Sequence, residues 1–109
     1  MNDSRLELHN KLKDLLVTYG GGKAKDVYFQ PPETVKMTYP AIVYEADGFS
    51  DKKANNYVYF AKKRYSIEFM TRDPDSPLID QFLLEFKFCS FSRSFASNNL
   101  NHYIFTLYY

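Results

Sequence analysis

Val27-Tyr28-Phe29-Gln30-Pro31-Pro32-Glu33, a short polar bridge, and then Tyr39-Pro40-Ala41-Ile42-Val43-Tyr44 form the stretch on which the fold turns. Two apolar runs rich in aromatic and β-branched residues are each bounded by proline, which lacks an amide donor and biases the residue before it to extended geometry. Residues 27–30 and 41–46 therefore read as two short strands. A Pro-Pro turn or loop between them is compatible with an antiparallel pair.

Upstream, Ser4-Arg5-Leu6-Glu7 has the spacing of a capping box, so a helix is expected to start at Ser4. Leu8, Leu12, Leu15, Leu16 and Tyr19 follow on one stripe of that helix. Gly20-Gly21-Gly22 ends it, because glycine accepts the left-handed conformation of a helix C-cap. The following Lys23 invites comparison with a phosphate loop, but such a loop follows a strand and closes on Gly-Lys-Ser/Thr, neither of which holds here.

Downstream, residues 47–56 (Asp-Gly-Phe-Ser-Asp-Lys-Lys-Ala-Asn-Asn) are dense in turn formers and charges and read as a long loop. In the long strand expected over residues 57–71, Tyr65, Ile67 and Phe69 alternate against Arg64, Ser66 and Glu68, the period of a sheet buried on one face. Asp73-Pro74-Asp75-Ser76-Pro77 opens a second helix, with Ser76 as cap and Pro77 at its first position. Its apolar stripe is Leu78, Ile79, Phe82, Leu83 and Phe86, and Asp80 complements the helix dipole. Residues 88–95 and 103–109 read as two more strands about a turn at Ser97-Asn98-Asn99, with 100–102 as its return, so the last residue should be pinned into the sheet. The expectation is an α+β domain, order α-β-β-β-α-β-β, in which two helices cover one face of a mainly antiparallel sheet of about five strands.

The 109 residues suit a single domain, which at this size can bury roughly 65% of its unfolded surface. A net charge of +1, with both signs interspersed, supplies no basic stripe to track a phosphate backbone. Lys62, Lys63 and Arg64, set among Tyr59, Phe60 and Tyr65, are the only basic run, and a solvated strand face explains them better than bases stacked on the rings. Cys89 is the single cysteine, so no intrachain disulfide can form and a reducing compartment fits. The polar, acidic start and the lack of any run near ~18 apolar residues give neither an export signal nor a membrane anchor.

No catalytic constellation is legible. His9 reads as a solvated helix residue and His102 as a turn or strand-edge donor, and no cofactor is expected. Asp73, Asp75 and Asp80 could be set around a hard cation, but their spacing does not fit an EF-hand loop and a helix cap accounts for them. The unusual feature is aromatic content: ten Tyr and ten Phe without a Trp, more than one small core needs and suited to a subunit interface.

The motif string Val27-Tyr28-Phe29-Gln30-Pro31-Pro32-Glu33, Met37-Thr38-Tyr39-Pro40-Ala41-Ile42-Val43-Tyr44, Arg72-Asp73-Pro74-Asp75-Ser76, Asn98-Asn99-Leu100-Asn101-His102 and Phe105-Thr106-Leu107-Tyr108-Tyr109 resembles small virion proteins of long-tailed phages of Gram-positive hosts. Within them it is most similar to the tail terminator group, also called tail completion or head-to-tail joining proteins. The resemblance implies a structural, non-enzymatic subunit of a ring, hexameric in that family, which stops tail-tube growth at the head-tail junction. Its implied partners are copies of itself, the tail-tube protein and the head connector, with DNA met only by passage through the ring. Another neck or head-completion protein is the alternative, and a small nucleic-acid-binding domain a remote one. Contacts in a ring join two different patches. One is expected on the 47–56 loop and its exit, at Phe49, Lys52, Lys53, Asn56 and Tyr57; the other on the bridge, at Gln30, Glu33, Lys36 and Tyr39.

Overall fold

A computed structural model describes residues 3–32, 35–54 and 57–109. It is an α+β fold: helix α1 (Asp3–Thr18), a 3-10 turn (Ala24–Asp26), strands β1 (Val27–Phe29), β2 (Ala41–Ala54) and β3 (Tyr57–Thr71), helix α2 (Leu78–Glu85), and strands β4 (Cys89–Ser97) and β5 (Leu100–Tyr108). The five strands form one sheet in the order β1-β2-β3-β5-β4. Its register sets Ile42 beside Phe69, Ile67 beside Phe105, and Tyr65 beside Leu107.

Period-2 alternation sends those residues, with Tyr44, to one face, where they are fully buried. Both helices cover that face. Leu8, Leu12, Leu15 and Leu16 come from α1, and Leu78, Phe82 and Phe86 from α2 and its C-cap. The Phe82 ring stacks on Phe105 with centroids 4.6 Å apart. Tyr19 and Leu83, expected on the two apolar stripes, are instead exposed. Tyr19 lies beyond the last helical residue, and Leu83 is turned away from the sheet face that Phe82 occupies.

Three local expectations need correction. The helix begins at Asp3, so Ser4 stands inside α1 rather than capping it. Strand β1 runs parallel to β2, Val27 beside Ile42 and Phe29 beside Tyr44, because residues 30–40 are long enough to carry the chain back to the end of the sheet it started from. Residues 47–54 are not a loop: β2 continues through them, paired with β3 as far as Ala54 beside Tyr57. The turn-like Asp47-Gly48 marks a bulge, where the register slips between Ala46 and Gly48.

Chain reversals follow glycine and asparagine chemistry. At the end of α1 the Gly20 amide donates to the Leu16 carbonyl (3.0 Å), Gly22 also donates to Leu16 (3.1 Å), and Gly21 takes φ 73°. The β4–β5 hairpin closes on Asn98 and Asn99, at φ 54° and 64°, the conformation of a two-residue type I′ turn. Helix α2 starts at Leu78 with Pro77 as its N-cap, one residue later than expected, and at this entry the Ser76 hydroxyl accepts from the Leu78 amide (3.3 Å) while Asp73 Oδ1 accepts from the Asp75 amide (2.9 Å). The final strand stops at Tyr108, but Tyr109 is held beside it, its amide donating to the Lys63 carbonyl and its hydroxyl to Glu7.

Candidate subunit interface

Among the described residues, two features of the sheet present exposed backbone edge or exposed apolar side chains on a scale that could meet another chain. The first is β4, an edge strand that among the described residues pairs with β5 alone and is exposed along almost its whole length. Its sequence, Cys-Ser-Phe-Ser-Arg-Ser-Phe-Ala-Ser, has no proline, and its edge-blunting devices are a single charge, Arg93, and the bulge beside it. Large apolar side chains gather beside it: Leu83 and Leu84 on α2, then Phe88, Phe91 and Phe95, with Leu84 78% exposed.

A bulge decides how these rings are arranged. Strict alternation would put Phe91 and Phe95 on the same face, but the register slips between Phe91 and Arg93. Phe91 therefore meets the core face, edge-on to Phe105 (5.7 Å), while Phe95 lies on the uncovered face, stacked on His102 (4.5 Å). The open edge is thus flanked by an exposed ring on each side. His102 is not a turn or edge donor: it sits within β5, its Nδ1 2.6 Å from the Glu68 carboxylate. A cleft of about 260 Å³ lined by Lys11, Glu85, Phe88 and Tyr109 opens between the helices next to this patch. Burial, helped by the Glu7 carboxylate, pushes the Tyr109 hydroxyl up to about 12, so it stays protonated and can donate.

The second feature is an arm. Beyond Tyr44 strand β1 has ended, and beyond Arg64 strand β5 has ended, so residues 47–54 and 57–63 continue as a ribbon of two strands. The molecule extends 50 Å along its longest axis against 26 and 24 Å across, and its radius of gyration of 14.7 Å exceeds the about 13 Å of a compact chain this long. Asp47 and Arg64 brace the root. Arg64 Nε donates to Asp47 Oδ1 and Nη2 to the Asp47 carbonyl, both at 2.9 Å. Gly48 makes room, since a Cβ there would stand 2.6 Å from Arg64 Nη2.

Of the interface residues expected from sequence, Phe49, Lys52, Lys53 and Tyr57 stand on the arm, in strands rather than in a loop. Asn56 and Glu33 lie outside the described residues. Gln30 does reach the root of the arm, its Oε1 accepting from the Ala46 amide at 3.2 Å. Tyr39 lies near the opposite end of β2, half-buried with Arg72 5.8 Å over its ring, so bridge and arm do not form one patch. Lys36 is exposed between them. The bridge is tied down from below by Asp26, a buried carboxylate that accepts from the Tyr28 and Thr38 hydroxyls.

Sequence reasoning missed the β4 edge. Residues 88–95 were legible as a strand, and the signal for an edge was there in the run of small serines where a central strand carries β-branched residues. His9 lies on α1 as expected but is half-buried rather than solvated, with Nδ1 2.6 Å from the Tyr44 hydroxyl, and burial, with Lys13 and Arg5 adding to it, lowers its pKa. No protein-family model matches this chain, and no curated protein matches it either.

Proposed function

We propose that this chain is a structural virion subunit, a tail terminator that closes into a ring, ends growth of the tail tube and joins the tail to the head connector. The motif string of the sequence supports the family, with six subunits as its expected ring size. One structural observation supports ring formation: the chain carries two different surfaces in need of a partner, the two-stranded arm and the β4 edge with its exposed rings. Unlike surfaces on one subunit are what a heterologous, closing contact requires. The role is structural and without catalysis, in the virion after assembly in the host cytoplasm, with DNA encountered by passage through the ring.

Purified protein should bind the ends of tail tubes and the connector, and native mass spectrometry should give a closed oligomer near six subunits. Binding to connector without any binding to tube ends would move the assignment to another neck or head-completion protein. The nucleic-acid reading is weakened at Arg64, whose guanidinium is committed to Asp47 and so is not free for a phosphate.

A further inference from the structure

We infer that the β4 edge is a strand-acceptor site, and that its occupant is the β3 side of the arm, residues 57–61, of a second copy of this chain. The inference deepens the self-assembly reading above and rests on it.

The acceptor is defined by its backbone. Phe88 gives its carbonyl to the Tyr108 amide at 3.0 Å. Alternation along an antiparallel ladder then turns the backbone groups of Cys89 and Phe91 away from β5, toward open solvent. In the isolated chain water meets these groups, and an added strand would replace that water along the stretch of edge it overlaps. Exposed Phe91 on one face and Phe95 on the other would be covered by the same event.

The occupant is chosen by the asymmetry of the arm. Its β2 side carries Asp47, Asp51, Lys52 and Lys53, charges of the kind that protect an edge. Its β3 side reads Tyr57-Val58-Tyr59-Phe60-Ala61, five uncharged residues dominated by strand formers, before Lys62 and Lys63 at the root. A two-stranded ribbon is marginal in water by itself, and a third strand is the ordinary remedy. The arm cannot serve its own β4, because β5 stands between β3 and β4 in the sheet and the arm leaves from the end of β2 and β3. Pairing of β4 with another β4 is disfavoured: the fullest antiparallel overlap, centred on the strand, sets Arg93 directly against Arg93, and shifted registers shorten the ladder.

The test uses full-length chains and solution mass over a range of concentration. The arm variant is Val58→Lys with Phe60→Lys, with Tyr59→Lys as a second; the edge variant is Phe91→Lys with Phe95→Lys, two exposed positions. Circular dichroism should match the unaltered chain. Each variant alone should self-associate at least tenfold more weakly. Mixed in equal amounts, they should form a heterodimer and stop there, since one intact arm then meets one intact edge. If the arm variants assemble like the unaltered chain, the inference is overturned, and ring formation is untouched. If the unaltered chain stays monomeric up to about 1 mM and the mixture gives no heterodimer, the inference also falls; tube-end binding then separately decides the terminator reading.

Discussion

Both carboxylate oxygens of Asp26 lie 2.8 Å from the hydroxyl of Thr38, so one buried acid ties the bridge between β1 and β2 to the turn that precedes β1. The Tyr28 hydroxyl adds a third contact at 3.0 Å. A hydrogen bond to a charged group contributes more than a neutral one, and its loss leaves the remaining donors unpaired. Asp26→Ala should therefore cost about 2–3 kcal/mol in urea unfolding, and a double-mutant cycle with Thr38→Val should show a coupling of about 1 kcal/mol or more. A cost within about 0.5 kcal/mol would mean that the bridge is held by something else.

Tyr65 presents the opposite situation. Its ring is fully buried beside Tyr44, and its hydroxyl has no hydrogen-bond partner among the described residues. An unpaired buried hydroxyl is a standing cost, which Tyr65→Phe removes while keeping the ring. The variant should be more stable by about 1 kcal/mol, read as a higher urea midpoint at unchanged slope. Destabilisation would reveal a partner for the hydroxyl.

His9 should make stability fall on acidification. Burial lowers its folded pKa below the ordinary 6.5, with Lys13 and Arg5 acting in the same direction. Well above pH 6.5 the ring is neutral in both states and contributes no pH dependence. As pH drops through 6.5 the unfolded chain takes up the proton first, and stability declines until the folded pKa is passed. In His9→Gln the decline between pH 7.5 and 5 should be shallower than in the unaltered chain; equal slopes would show that His9 titrates normally in the fold.

Cys89 should be a poor nucleophile. Burial pushes its thiol from an ordinary value of 9.0 to about 11, so at pH 8 the thiolate fraction is about a hundredfold smaller than in a free thiol. Alkylation by iodoacetamide should be slower than that of the urea-unfolded chain by about that factor. Comparable rates would place the sulfur in open solvent.

Much of the architecture was legible because it rests on periodicity. Tyr65, Ile67 and Phe69 announce a one-faced strand at any register, and the leucines of α1 announce a covering helix. The hairpin at Asn98 and Asn99 was equally open to reading, since asparagine is among the few residues that accept φ above zero. The candidate interface was less so. Asp47-Gly48 has the chemistry of a turn, and only pairing of residues 48–54 against β3 shows it to be a bulge in a continuing strand. Likewise, nothing in Phe91 or Phe95 says whether a neighbouring strand covers them.

By itself the sequence determined the two helices, most of the strand cores, the main apolar faces and the α+β class, because these depend on residues three, four or two positions apart. Tertiary structure alone decided that β1 joins β2 in parallel, that β4 ends the sheet, and that the arm outruns its neighbours. Those outcomes depend on which strands meet and where each one stops. Strand partnership is a contest among distant segments for the same backbone hydrogen bonds, and a local pattern identifies the contestants without fixing the winner.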